Sequence, residues 1–325
     1  MGKVYLSSRL NHQPKTVASF QLTRLALSGD VCPSPGPVTG TGSIAKRNCS
    51  NPHVNSDRDT TESMYHSPHG SPIAWKDAEP VVVQRRKKDS REILVIHLNV
   101  NSLQNKIEET RMLVEQFKAQ VVFLGETKID GTYPNSQFAI KNYHLYRNDR
   151  VKGGGGLMAY FSSVLPSKRL KQPKVFKTIE VLLIQSKFGR KDVIVRGIYR
   201  TPKVNGKNYY ETLERKLYEI ISWIFLQRQF FIIMGDLNLN KLRPGDNEGK
   251  ILCDLEEVFG FESLIEEPTR ITENSSHLLD VILTNQPQVF REGGVYNPEI
   301  SDHLMLYAAL KEKSSVTQDK NSEGA

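Results

Sequence analysis

From about residue 92 the chain alternates short apolar runs with polar turns, and the spacing of those runs predicts its elements. Ile93 to Leu98 and Val121 to Leu124 read as strands, with a helix over Asn105 to Phe117 between them. Ile107, Leu113, Val114 and Phe117 share one face of that helix. Leu157 to Phe161, Val181 to Gln185 and Val193 to Tyr199 read as further strands. Asn208 to Phe225 has helical spacing, with Leu213, Leu217, Ile220, Ile221 and Ile224 facing inward. The wholly apolar run Phe230 to Met234 predicts a strand buried on both faces. A helix over Gly249 to Val258 with Gly260 just past its end, and strands at Leu278 to Leu283 and His303 to Leu310, complete the pattern. Interleaved strands and helices over roughly 220 residues predict an α/β domain.

The first 90 residues follow no such period. Pro, Ser and Gly cluster from Cys32 to Gly42, and Asn, Ser and His from Asn48 to Pro72. The expected organisation is a mostly disordered arm over 1–90, a domain over 91–312 and a polar tail over 313–325. The arm ends in Arg85-Arg86-Lys87-Lys88, readable as a nuclear address, a phosphate contact or a solvated linker. Net charge of +8 favours an acidic partner such as nucleic acid. Three cysteines without finger spacing argue against a disulfide framework and for a reducing, intracellular compartment, nucleus or cytoplasm. No apolar run approaches the ~20 residues of a membrane span, so no membrane partner is expected.

Candidate chemistry lies at the ends of the predicted strands. Asn99 follows the first strand, Glu126 the second, and Tyr199 ends its own. Asp236 and Asn238 leave the Phe230 strand two residues apart, so strand alternation places them on one side. Asp280 lies within a late strand, and Ser301, Asp302 and His303 begin the last. Each alone has a structural reading, because carboxylates cap loops and single histidines satisfy cores. Together at strand ends they point to a site.

The ordered motifs Leu98-Asn99, Gly125-Glu126-Thr127-Lys128, Ile198-Tyr199, Gly235-Asp236-Leu237-Asn238, Leu279-Asp280 and Ser301-Asp302-His303 resemble the endonuclease/exonuclease/phosphatase superfamily. The resemblance covers residues 92 to about 310. It narrows at Tyr199-Arg200-Thr201-Pro202, Glu267-Pro268-Thr269-Arg270, Leu278 to Asn285 and the run Gly153 to Gly156. These resemble the endonuclease domain of non-LTR (LINE-type) retrotransposons, which nicks DNA to free a priming 3′-hydroxyl.

The resemblance implies a four-layer α/β sandwich of two packed, mostly antiparallel sheets flanked by helices. It implies hydrolysis of double-stranded DNA with Mg²⁺, or Mn²⁺, as cofactor. Glu126 would be the main metal ligand, with Asp302 and Asn101 as further metal contacts. Asp236 would deprotonate or orient water, and Asn238 would hold that water or a phosphate oxygen. His303, charged and oriented by Asp280, would stabilise the phosphate. Tyr199 would donate to the phosphate, Asn99 would support Glu126, and Arg200 would contact nucleic acid. The superfamily often has Asp where Asn101 stands, and an amide oxygen is a weaker Mg²⁺ ligand. Two alternatives stay open: an apurinic-site repair endonuclease, and a catalytically dead relic that binds nucleic acid. Residues Leu27 to Pro37 resemble a ribosome-skipping peptide ending, with Ser34 in place of its Asn. Oligomeric state is not legible in the sequence.

Overall fold

The computed structural model describes residues 92–150, 153–172, 176–202, 208–227 and 229–313. The arm, its basic run, the 27–37 segment, Cys32, Cys49 and residues 314–325 lie outside the described residues. Cys253 forms no disulfide among the described residues.

Two six-stranded sheets form the centre. We number their strands in chain order. The first contains β1 (Glu92–Asn99), β2 (Val121–Gly125), β3 (Tyr143–Asn148), β4 (Leu157–Ser162), β13 (Phe290–Tyr296) and β14 (Met305–Lys313), in the order β13-β14-β1-β2-β4-β3. The second contains β5 (Ser167–Arg169), β6 (Ile179–Phe188), β7 (Lys191–Arg200), β8 (Phe230–Asp236), β9 (Glu262–Ser263) and β12 (Asp280–Thr284), in the order β5-β6-β7-β8-β12-β9. Each sheet has one parallel pair at its centre, β1 with β2 and β7 with β8, and antiparallel pairs elsewhere. A small hairpin, β10 (Arg270–Thr272) and β11 (Ser275–His277), stands apart from both. The expected sandwich of mostly antiparallel sheets is therefore what the chain forms.

Parallel neighbours need a crossover, and a helix supplies each. Helix α1 (Ile107–Phe117) links β1 to β2, and α3 (Tyr209–Leu226) links β7 to β8. A four-residue α2 (Asn135–Phe138) and α4 (Asn247–Phe259) complete the helices. In α1 the buried side chains are Thr110, Leu113, Val114 and Phe117, one face at helical spacing. Lys118 ends it in the left-handed region and donates its N–H to the Val114 carbonyl. Helix α3 buries the five residues expected of it, and Gly260 caps α4 with φ +60.

Three apolar layers result. Phe123, Leu182, Val195, Ile232 and Leu306 fill the space between the sheets. Leu217, Ile221, Leu252 and Ile233 join α3 and α4 to the second sheet. Leu113, Phe117, Ile96 and Val122 join α1 to the first. Full burial contributes roughly 1.5–3 kcal/mol for each such side chain. Gly197 makes a notch in the second sheet, since a Cβ there would lie 2.3 Å from the ring of Phe123.

The late strands start later than the apolar pattern predicts: β12 at Asp280 rather than Leu278, and β14 at Met305 rather than His303. In both cases the backbone before the strand is spent on other partners. Leu279 N–H donates to Thr269 Oγ1, and His303 N–H to Ser301 Oγ. No described helix is long and apolar enough to cross a membrane.

Candidate active site

The C-terminal ends of β1, β2, β7 and β8 meet at one edge of the sandwich. There Asn99 ends β1, Glu126 follows β2, and Tyr199 and Asp236 lie at the ends of β7 and β8. Antiparallel pairing sets Asp280 of β12 opposite Asp236. His303 sits just before β14, on the turn that returns to β1.

Asn99 is the hinge of this group. It is fully buried, and its Nδ2 donates to Glu126 Oε1 at 3.0 Å and to Asp236 Oδ2 at 2.9 Å. Its Oδ1 accepts the Asn101 N–H at 3.0 Å. One amide thus holds two carboxylates from different sheets side by side.

Asp236 and Asn238 are together, but not by strand alternation. The strand ends at Asp236, and Asn238 turns into the left-handed region with φ +50. Its N–H closes back on Asp236 Oδ1 at 2.7 Å, an Asx turn. Its Nδ2 donates to the Arg200 carbonyl at 2.7 Å and to Asp236 Oδ2 at 3.2 Å. Asn101, Ser102, Glu126 and Lys128 also have positive φ. Such conformations cost energy for side chains other than glycine and concentrate where a site over-determines its loops.

Burial, reinforced by the neighbouring Asp280, pushes the Asp236 carboxyl up to about 8. Burial also opposes charge on Asp280, but His303 and His97 outweigh it and hold that carboxyl below the usual range. Burial likewise opposes the His303 cation, yet Asp280, Asp236 and Asp302 raise its pKa to about 9. The His303 Nδ1 to Asp280 Oδ2 distance is 2.8 Å. Tyr199 is buried and hydrogen-bonded to Glu126; burial and the charges of Glu126 and Asp236 raise its pKa, so it stays a phenol.

One ligand atom each from Asp236, Asp280 and His303 lies within 4.8 Å of the others. Asp280 is already committed, because it also accepts Thr269 Oγ1 at 2.8 Å and His97 Nε2 at 3.2 Å. Glu126 Oε1 and Asp236 Oδ2, both held by Asn99, are carboxylate oxygens of the kind that suits a hard cation such as Mg²⁺ or Mn²⁺.

Asn101 and Asp302 lie at the rim with their polar atoms engaged. Lys128 Nζ donates to Asn101 Oδ1 and stands 3.2 Å from Glu126 Oε2. Asp302 receives Arg270 Nε at 2.9 Å and Asn101 Nδ2 at 3.3 Å. Arg200 has a place other than the expected nucleic-acid surface. Only 2% exposed, it donates Nε to the Leu237 carbonyl and Nη2 to the Asn238 carbonyl. It braces the Asx turn from behind.

Sequence reasoning passed over Thr269, His97 and Lys128. Thr269 Oγ1 accepts the N–H groups of Leu279 and Asp280, both at 3.0 Å, while donating to Asp280. Its signal was the Glu267–Arg270 motif. For His97 it was a polar residue inside an apolar strand, two positions before Asn99. The glycine run is clamped at its end: Gly156 N–H donates to Glu180 Oε2 at 2.7 Å, and its carbonyl accepts Thr127 N–H at 3.2 Å.

Residues 96–303 match the sequence profile of the Endonuclease/Exonuclease/phosphatase family. The chain belongs to that family. Endonuclease/exonuclease/phosphatase members are hydrolases acting on phosphodiester bonds, and nucleases of this fold generally use divalent metals. Solved structures share the fold at low identity. An AP endonuclease from Archaeoglobus fulgidus is 19% identical with a TM-score of 0.54, covering 67% of this chain and 99% of its own. An AP endonuclease from Leishmania major is 14% identical with a TM-score of 0.56, covering 73% and 93%. The endonuclease domain of TRAS1, a telomere-specific non-LTR retrotransposon, is 14% identical with a TM-score of 0.52, covering 68% and 99%. No curated protein matches the chain.

Proposed function

We propose that this protein is a Mg²⁺-dependent endonuclease that nicks double-stranded DNA, of the kind carried by non-LTR retrotransposons. The observation that carries the reading is the Asn99 amide joining Glu126 to Asp236, with the Asp280–His303 pair beside it. Glu126 and an Asp236 oxygen would hold the cation, with Mn²⁺ as a substitute; bound there, it offsets phosphate charge. With a cation held beside it, the Asp236 carboxyl would be ionised and could accept a proton from water. Asn238 spends its Nδ2 on Arg200 and Asp236, so its Oδ1 is the atom left to accept from that water. The water oxygen would bond to phosphorus as its proton passes to Asp236, and the bond to the 3′-oxygen would break, that oxygen taking a proton from solvent to become the 3′-hydroxyl. His303, cationic through Asp280, donates to a non-bridging oxygen, and the Tyr199 phenol to another.

A DNA substrate accords with the positive charge of the chain and with a neighbour of the same fold, a Neisseria 3′ phosphatase bound to a product DNA hairpin. It also accords with an intracellular place of action, nucleus or cytoplasm. The test is conversion of supercoiled plasmid to open circles. Nicking is expected with Mg²⁺ and not with chelator. Asp236→Ala and His303→Ala are each expected to lower it on the order of 100- to 10,000-fold. Robust nicking by both variants would sink the assignment. An abasic duplex cut far faster than intact DNA would move the reading to apurinic-site repair. Binding without cleavage would move it to a relic.

A further inference from the structure

The Asp280 carboxylate is shared between two imidazoles. Its Oδ2 takes His303 Nδ1 at 2.8 Å and Thr269 Oγ1 at 2.8 Å, and its Oδ1 takes His97 Nε2 at 3.2 Å. His97 comes from the first sheet and Asp280 from the second. His97 is fully buried, and its Nδ1 has no hydrogen-bond partner. A carboxylate only accepts, so Nε2 carries the proton.

A buried imidazole with one polar contact is a costly way to fill space that a leucine could occupy. Gly125 of the neighbouring strand lies against its ring, where a Cβ would meet His97 Cε1 at 3.4 Å. What the imidazole supplies is a donor to the carboxylate oxygen that faces away from His303. Without it, that oxygen would be buried with no donor, and only Thr269 and His303, both on Oδ2, would hold the carboxylate's orientation.

We propose that His97 is a positioning residue: it pins Asp280 Oδ1 across the two sheets, so that Oδ2 keeps the His303 ring oriented with Nε2 left for the substrate phosphate. The orienting step stands on the geometry alone, and the phosphate step rests on the proposed function.

The test uses the full chain with ¹⁵N-labelled histidine, without DNA and in chelator. It follows the His303 Nδ1 proton held by Asp280, and nicking is measured separately with Mg²⁺. In His97→Leu that proton signal is expected to shift or broaden. The same variant should lose kcat by about tenfold, the scale of a lost outer hydrogen-bond partner, with KM nearly unchanged. His97→Gln, whose amide reaches Oδ1, is expected to restore both. An unaltered signal, or kcat within about twofold of the parent, overturns the proposal. Should His97→Leu fail to fold, His97→Asn replaces it, since its shorter amide cannot reach Oδ1. If the parent protein does not nick DNA, the proposed function falls, and the proton signal alone decides the role of His97.

Discussion

At the scale of single residues, Asp236 and His303 make opposite use of the same burial, and both hold protons that an unfolded chain would release. The Asp236 pKa rises from 3.8 to about 8, and that of His303 from 6.5 to about 9. A raised pKa gives stability that is complete below the unfolded value and is lost as pH climbs through the folded value. For Asp236 the loss runs from about pH 4 to 8, and for His303 from about 6.5 to 9. Asp280, whose pKa is depressed, loses its contribution only in acid. Thermal melting in chelator is therefore expected to show Tm falling between pH 6.5 and 9, with His303→Ala flattening the upper part of that fall. A Tm that is constant or rises across this range would contradict the assignment of these protons.

Among the elements, one site loop and one core strand each depend on a glycine, for different reasons. Gly155 has φ +57, and a Cβ there would come within 2.0 Å of Glu180 Oε1. Its carbonyl receives the Lys128 N–H at 2.8 Å. Gly155→Ala adds about 1–2 kcal/mol of backbone strain and displaces the Glu126 loop, so nicking is expected to fall more than Tm. Equal losses of both would show that the loop merely supports the fold. Gly197→Val fills the notch taken by Phe123 and is expected to cost about 1–3 kcal/mol by urea denaturation. The buried strands and the two crossover helices were legible in the sequence because their apolar spacing is unbroken. β3 and β13 were not: both are edge strands, half-exposed, and β13 carries Gly293 and Gly294 where packing side chains would give a period. Asn99, Glu126, Tyr199 and Asp236 were legible because they stand at the ends of apolar runs. Arg200 was misplaced because nothing in its sequence context says that the carbonyls of the Asx turn would claim its donors.

For the molecule as a whole, net charge of +8 sets an expectation for binding. Affinity for duplex DNA should fall steeply with salt, on the order of a thousandfold between about 50 and 200 mM if about six phosphates are neutralised. Fluorescence anisotropy with a Mg²⁺-free duplex measures this, and an affinity indifferent to salt would exclude the duplex as partner. The pairing of β1 with β14 has a consequence of another kind. Glu92 stands opposite Lys313, so the two ends of the described fold are neighbours in one sheet. Asn99 lies at the far end of β1, roughly 23 Å away at the usual rise per residue. The domain can therefore be rewired: a short linker can join 313 to 92, and new termini can open at Gly189 in the β6–β7 turn. Such a circular permutant keeps every site contact intact and carries any fusion at a place of the designer's choosing.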